Sequence, residues 1–110
     1  MLFRSDPVPG ADIQYTVTAT NVSAAPTGSG SIDLPALAVV ITEDGDAGTN
    51  NWAGTTNYVT GEAANNDGAA VVPAVSASTG AVALAKYIAV IGTLNGGKVG
   101  TLTFTRKIKP

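Results

Sequence analysis

The fold is indicated by the stretch Pro9-Gly10-Ala11-Asp12-Ile13-Gln14-Tyr15-Thr16-Val17-Thr18-Ala19-Thr20-Asn21, a turn dipeptide followed by a run of alternating side chains. The apolar members of the run are Ile13, Tyr15, Val17 and Ala19, and the polar members are Gln14, Thr16, Thr18 and Thr20. A period of two is typical of an antiparallel strand with one buried face, because successive side chains point to opposite faces. We therefore predict a first strand over Ile13–Asn21.

A second pair of strands is predicted on either side of Asn95-Gly96-Gly97. Asn and Gly accept positive φ, so this tripeptide favours a hairpin that joins Tyr87–Leu94 to Lys98–Lys109. In the first segment we expect two apolar faces, Ile88, Val90 and Leu94 on one and Tyr87, Ala89 and Ile91 on the other. In the second we expect inward side chains at Leu102, Phe104 and Ile108. Arg106 interrupts this inward set, so we expect the strand to twist or to leave the core there.

The middle of the chain gives weaker strand signals between polar turns. Strands are expected at Leu37–Thr42 and at Trp52–Thr60. Ala69–Val75 is expected to be an edge strand or an irregular segment, because its proline cannot donate a ladder hydrogen bond. Loops are expected at Ser23–Ser31, Glu43–Asn51 and Gly61–Gly68, and at most one helical turn at Ala81–Lys86. About six or seven short strands separated by turns predict an all-β protein, an immunoglobulin-like antiparallel β-sandwich.

The composition is that of one small β domain. The 110 residues are 45 % hydrophobic and only 13 % charged, and Thr, Val and Gly suit strands and turns. We expect a single domain over residues 6–110 and a non-native or disordered leader over residues 1–5. No strand pattern precedes Pro9-Gly10.

The charge and the missing residue types exclude several functions. The net charge is −2, and nucleic-acid binders usually present a broad basic surface, so we expect no nucleic-acid partner. The chain has no Cys and no His, which removes thiolate chemistry and the commonest general base. No apolar run approaches the roughly 20 residues that span a bilayer, so we expect no direct membrane insertion.

Two segments resemble a bacterial surface module, the conserved repeat domain known as domain of unknown function eleven. Pro9–Asn21 is similar to its start, in which Pro-Gly precedes a Tyr-Thr-rich alternating strand ending in Thr-Asn. Gly96–Phe104 is similar to its end, a Gly-containing turn followed by a Gly-Thr-Val-Thr-Phe-like strand. The middle departs from the family, because Leu34-Pro35 precedes the apolar run instead of following it. The family also has a strand before Pro-Gly, so the resemblance implies that the first strand of this sandwich is missing. Either upstream residues supply it, or a neighbouring subunit donates it and the protein forms filaments. The resemblance implies an immunoglobulin-like sandwich in a secreted or envelope protein, with a structural or adhesive role and no catalytic residues.

The polar turn at Glu43–Asn51 is the strongest candidate for a ligand site. Acidic side chains on a Gly-rich loop can converge on a hard cation, and Ca²⁺ prefers oxygen ligands. The candidate calcium ligands are Glu43, Asp44, Asp46 and Asn50. The EF-hand spacing is not present, since the sixth position from Asp44 is Thr49 instead of Gly. The alternative is a solvated turn in which Asp and Asn hydrogen-bond the local backbone.

Trp52 is a candidate for stacking on a sugar ring, because it lies in a polar stretch. The alternative is that it belongs to the core, as aromatic residues of small β domains usually do. We expect no catalytic residues, since a pair of carboxylates acting as in a glycosidase needs a deep cleft, and one small domain has little wall to form it.

These observations predict a non-enzymatic structural, spacer or adhesive module of a bacterial cell-surface or secreted protein. The expected location is extracellular or the cell envelope, and the expected partners are neighbouring domains or subunits of that protein. The alternatives are a module that binds Ca²⁺ or a glycan, and a filament subunit completed by strand donation. No cofactor is expected other than Ca²⁺ at the polar turn.

Overall fold

The computed structural model describes residues 8–24, 27, 30, 32–78 and 83–110, so the expected leader at residues 1–5 lies outside the described residues. The regular secondary structure of this part of the chain is almost entirely strand. Its elements are β1 (Asp12–Thr20), β2 (Ala36–Asp44), α1 (Trp52–Thr55), β3 (Thr56–Asn66), β4 (Ala69–Val71), β5 (Ala74–Ala77), β6 (Leu84–Leu94) and β7 (Val99–Ile108).

The strands form two antiparallel sheets that share one core. The four-stranded sheet has the order β1-β7-β3-β4, and the three-stranded sheet has the order β2-β6-β5. The two central strands, β6 and β7, contribute most of the buried side chains. The prediction of an all-β antiparallel sandwich of about six or seven strands is confirmed.

The expected hairpin between the last two strands is wrong. β6 and β7 belong to different sheets, so the Asn95-Gly96-Gly97 turn carries the chain across the core. The Gly97 N–H donates to the Asn21 carbonyl at 3.0 Å, and the Asn21 side chain donates to the Leu94 carbonyl at 2.8 Å. Both strands have an apolar face, and these two faces pack on each other across the core, where Tyr87 stacks on Phe104. Immunoglobulin domains keep their last two strands in one sheet, so the architecture is shared and the strand order is not.

The expected alternation holds in β1 and is interrupted in β6. Every second residue from Ile13 to Ala19 is partly buried, and those between them are exposed. Leu94, expected on the same face as Val90, is instead 1 % exposed, whereas Val90 is 62 % exposed. The cause is Gly92, whose φ of 85° lies where the pairing with β2 shifts register. A bulge there changes the phase of the strand and turns Leu94 into the core.

The strand β3 extends further than expected. The expectation of a loop over Gly61–Gly68 is wrong for its first six residues, because β3 continues to Asn66. Gly61, with a φ of 114°, lies within a register shift against β7. The Asn66 side chain donates to the carbonyl oxygens of Ile91 at 3.0 Å and Thr93 at 2.7 Å. Its polarity therefore serves a contact between the two sheets and does not mark a loop.

Three short segments also differ from expectation. Trp52–Thr55 is a single helical turn, so the strand expected from Trp52 begins only at Thr56. The edge strand expected at Ala69–Val75 is divided into β4 and β5, which lie at the edges of different sheets. Of the helical turn expected at Ala81–Lys86, residues 81 and 82 lie outside the described residues, and Leu84–Lys86 belongs to β6.

Aromatic rings occupy the centre of the core. Tyr87 of β6 and Phe104 of β7 stack with ring centroids 4.0 Å apart, which joins the two sheets. Tyr15 of β1 stacks on Phe104 at 5.2 Å. Aliphatic side chains surround this stack, among them Ile41, Ile91, Leu94 and Leu102. Full burial of one such large side chain contributes roughly 1.5–3 kcal/mol to stability.

Arg106 is fully buried, and the expectation that β7 leaves the core near it is wrong. The strand continues its alternation through Arg106, which follows Leu102 and Phe104 on the inner face. A buried charge is stable only when hydrogen bonds replace its lost hydration. The surroundings of the guanidinium therefore decide whether this side chain can be tolerated.

Four hydrogen bonds surround the Arg106 guanidinium. Its Nε donates to Thr56 Oγ1 at 2.9 Å, and Nη2 donates to the Thr56 carbonyl at 3.4 Å. Its Nη1 donates to the Leu84 carbonyl at 2.5 Å and to Tyr87 Oη at 3.1 Å. The Cζ atom lies 5.8 Å from the ring centroid of Trp52, within the range of a cation–π contact. Because Thr56 belongs to one sheet and Leu84 and Tyr87 to the other, the guanidinium joins the two sheets.

We expect Arg106→Ala to lower the free energy of unfolding by about 3 kcal/mol or more. The substitution leaves a cavity and removes the partner of the buried Tyr87 hydroxyl and of the Leu84 carbonyl. Chemical denaturation followed by tryptophan fluorescence measures the change.

Lys107→Ala is the matched control, since Lys107 is the next residue of β7 and its side chain is 48 % exposed. Its exposed ion pair contributes at most about 1 kcal/mol. Equal losses of stability for the two variants would contradict the role assigned to Arg106.

Candidate functional site

Asp44 organises the turn that leads from β2 to α1. Its Oδ1 accepts hydrogen bonds from the Ser78 hydroxyl and, at 3.1 Å, from the Asp46 backbone N–H. Its carbonyl oxygen accepts a hydrogen bond from Asn50 Nδ2 at 3.2 Å. The Ser78 hydroxyl, followed by the Asp46 N–H, lowers the pKa of the Asp44 carboxyl. Asp44 and Asn50 thus use these polar atoms to hold the turn together and to tie it to the end of β5.

Asp46 is the second acidic residue of the turn. Its Oδ1 accepts a hydrogen bond from the Ala53 N–H at 3.2 Å, which fixes the start of α1. Its Oδ2 is buried and has no hydrogen-bond partner among the described residues. A buried oxygen of this kind normally accepts a hydrogen bond or coordinates a cation. The calcium hypothesis therefore depends mainly on this atom.

Glu43 lies apart from the other candidate ligands. It precedes Asp44 in β2, and neighbouring side chains of a strand point to opposite faces. In the described ranges, no three His, Cys, Asp or Glu side chains form a group that could hold a metal ion. The calcium site at Glu43, Asp44, Asp46 and Asn50 stays a prediction. The hydrogen bonds of its last three members are those of the alternative, a turn stabilised by local bonds.

We expect Ser78→Ala to raise the pKa of Asp44 toward its ordinary value of 3.8, because the Ser78 hydroxyl is the main cause that lowers it. Carbon-13 NMR of the carboxyl group during a pH titration measures the pKa. A lowered folded pKa means that the ionised carboxylate stabilises the fold above the unfolded pKa, and that this contribution is lost as the pH falls through the folded pKa. Stability should therefore depend less on pH in this acidic range in the variant.

Ser76→Ala is the control for this prediction. Ser76 lies in β5, two residues before Ser78, and is exposed. Its removal should leave the pKa of Asp44 unchanged. If the pKa of Asp44 were the same in wild type and in Ser78→Ala, the assignment to the Ser78 hydroxyl would be wrong.

Trp52 is partly buried, and one side of its ring joins the aromatic core. Its ring centroid lies 5.2 Å from that of Tyr15 and 5.4 Å from that of Phe104. The backbone N–H of Trp52 donates to the Gly45 carbonyl at 2.9 Å. Gly45 lies so close to the indole that a Cβ atom at this position would overlap the ring. Glycine is therefore needed at residue 45 for the turn to fold back over Trp52.

A cleft of about 570 Å³ opens at the end of the sandwich beside Trp52. Small-molecule sites usually have volumes of about 300–1,000 Å³ and a largely apolar lining. The cleft combines two aromatic rings with apolar side chains and one cationic side chain, at or next to the ends of β1 and β7. Its lining includes Pro9, Ile13, Tyr15, Trp52, Ile108 and Lys109. Of the residues proposed from the sequence as ligand contacts, Trp52 lies in this cleft.

Sequence reasoning missed Tyr15 and Lys109 as members of the cleft. The alternation of β1 correctly gave Tyr15 an inward direction, but an inward residue near the end of a sandwich can also line an opening. The Lys109 Nζ donates to the Ala53 carbonyl at 2.7 Å, which places its ammonium group beside α1. No local signal marks this contact, because Ala53 and Lys109 are distant in the chain.

The chain matches no protein-family model, no curated protein and no solved structure. The resemblance of Pro9–Asn21 and Gly96–Phe104 to a bacterial surface module therefore stays a prediction. Among the described residues, no helix is long and apolar enough to cross a membrane.

Proposed function

We propose that the chain is a non-enzymatic adhesive or structural module of a bacterial cell-surface or secreted protein, located outside the cell or in the cell envelope. The resemblance of Pro9–Asn21 and Gly96–Phe104 to a surface module supports this setting. These two segments contribute to β1 and β7, which are neighbouring strands of one sheet. Its partners are neighbouring domains or subunits of the same protein.

The observation that carries the proposal is that the chain enters and leaves the sandwich at the same end. β1 pairs antiparallel with β7, so that Asp12 lies opposite Lys107. The Gly10 N–H donates to the Ile108 carbonyl and the Ile108 N–H to the Ala11 carbonyl, both at 2.9 Å. A domain with adjacent ends can project from its attachment point and leave its outer faces free for contacts. This geometry favours an adhesive module over a spacer in line with the chain.

The interior polar side chains support a structural role for the residues that could otherwise be suspected of catalysis. Arg106 binds acceptors in both sheets, and Asp44 binds Ser78 and the turn. Asn66 joins β3 to β6. A general acid or base must instead be within hydrogen-bond reach of a substrate atom.

We expect the domain to unfold at low force when it is pulled through residues 10 and 109. Both attachment points lie at one end of the β1–β7 ladder, so the force separates one backbone pair at a time. Single-molecule force spectroscopy, with a handle at each end of the domain, measures the unfolding force.

Attachment at residue 10 and at Asn95→Cys provides the control geometry. The chain has no cysteine, so the new thiol is a unique handle, and Asn95 is exposed at the opposite end of the ladder. Here the force shears the nine pairs of the β1–β7 ladder together, and we expect a higher unfolding force. Equal forces in the two geometries would contradict the placement of both chain ends at one end of the β1–β7 ladder, on which the proposal depends.

A second candidate function, binding of a glycan, is favoured by the cleft beside Trp52. The rings of Tyr15 and Trp52 are tilted by 31° with centroids 5.2 Å apart, which gives the cleft an aromatic wall. Sugar rings present apolar C–H faces that pack on such walls. The Lys109 ammonium group is a hydrogen-bond donor in the lining and favours sugars that carry a carboxylate.

We expect uronic-acid-containing oligosaccharides to change the fluorescence of Trp52, the single tryptophan of the chain. Lys109→Ala should weaken binding of these sugars, because it removes the cation from the cleft. Lys98→Ala should leave it unchanged, since Lys98 lies at the other end of β7. Absence of a saturable change with both acidic and neutral oligosaccharides would remove this candidate.

A further inference from the structure

The outer face of β1 and β7 carries an ordered set of threonines. We call it the threonine face and define it as Thr16, Thr18 and Thr20 of β1 with Thr101, Thr103 and Thr105 of β7. The three from β1 are exposed, and the three from β7 are partly buried. Each lies on the side opposite to the core, because the residues between them are the inward ones.

The register makes the threonine face regular. Thr16 lies opposite Thr103 and Thr18 opposite Thr101, and the nine-pair ladder has no bulge. The ladders between β2 and β6, between β3 and β7 and between β5 and β6 all contain register shifts. Alternate residues of a strand are about 6.8 Å apart, and neighbouring strands are about 4.8 Å apart. The hydroxyl and methyl groups of these two facing pairs are therefore repeated on a two-dimensional grid with these two spacings. At its margins Gln14 lies opposite Thr105, and Val99 lies opposite Thr20.

The side chains of the grid are stiff. Threonine is β-branched and has restricted rotation about χ1, so its hydroxyl and methyl groups lose little freedom on binding. Thr101 is held further by Asn65, whose Nδ2 donates to its Oγ1 at 2.6 Å. On the outer side of β3, Ala63 and Val59 lie opposite Thr103 and Thr105, and both side chains are free of charge.

Charge is confined to the two ends of the threonine face. At one end Lys107 and Asp12 form an ion pair at 2.8 Å, and at the other Lys98 and Asp67 form one at 3.5 Å. Between these pairs, the outward residues of β1 and β7 are uncharged, because Arg106 points into the core. The surface between the ion pairs presents the hydroxyl and methyl groups of the threonines, bordered by the neutral side chains of Gln14 and Val99. Such a surface is matched by a neutral, hydroxyl-like partner.

We propose that the threonine face binds the surface of ice. The oxygen atoms of ice lie in rows whose spacings are close to the two spacings of the grid. Such a lattice is uncharged and offers both hydrogen-bond donors and acceptors to the threonine hydroxyls, while the methyl groups fill the spaces between its oxygens. A neutral polysaccharide is less well matched, because the face has no aromatic ring for a sugar to stack on. This inference does not depend on the function proposed above for the chain.

Partitioning of the full chain into slowly grown ice tests the proposal. Wild type should be enriched in the ice fraction and should slow ice recrystallisation. Thr16→Tyr should lose both properties, because a bulky ring at the centre of the grid separates the face from the lattice. Tyrosine has a high strand propensity, so the variant should fold, and its melting temperature and circular dichroism verify this.

Thr42→Tyr is the matched control, since Thr42 is exposed on the other sheet. It should partition into ice as wild type does. Exclusion of wild type from ice would overturn the proposal, and so would equal partitioning of the two variants. Retention of wild type on insoluble cellulose, lost in Thr16→Tyr and without enrichment in ice, would assign the face to a polysaccharide instead.

Discussion

A fully buried guanidinium joins the two sheets of this sandwich. Hydrophobic contacts are non-directional and would allow the sheets to slide, whereas the N–H groups of Arg106 accept only particular positions of their partners. Those partners are Thr56 on the four-stranded sheet, and Leu84 and Tyr87 on the three-stranded sheet. A buried charge without such acceptors would strongly destabilise the fold. The two sheets are therefore held in one arrangement at this end of the domain.

The position of the cleft follows from the same interaction. The Thr56 hydroxyl accepts a hydrogen bond from Arg106 and donates one to the Trp52 carbonyl at 2.8 Å. This chain of bonds fixes α1, and the indole ring then lies close to both the guanidinium and the backbone of Gly45. The aromatic wall of the cleft is thus held by the core. A ligand there would meet a preformed surface, which lowers the entropy lost on binding.

The sequence predicts those parts of the structure that depend on local pattern. Alternation located β1 and the inner face of β7 up to Phe104, because a period of two directly reflects burial of one face. The same pattern could not predict the burial of Arg106, since a charge at an inward position is buried only where residues distant in the sequence accept its hydrogen bonds. Asn95-Gly96-Gly97 has the chemistry of a tight turn, but local chemistry does not distinguish a hairpin from a crossing between sheets. The local role of Asp44 was foreseen as the alternative to a calcium site, whereas the cleft needs residues from both ends of the chain.

The basic residues Lys98, Arg106 and Lys107 lie either in the core or at the ends of the outer face. Arg106 is inside, and Lys98 and Lys107 form ion pairs at the two ends of β1 and β7. The neighbouring strand, β1, is a long, regular edge strand whose only charged residue is Asp12. Proteins usually protect such edges with charged side chains, bulges or proline, because an open edge invites association with other chains. β2, an edge of the other sheet, does have bulges. A neutral edge strand without bulges therefore favours association and lowers solubility. The binding proposed for the threonine face needs both regular spacing and neutrality, which gives a physical reason to keep this edge.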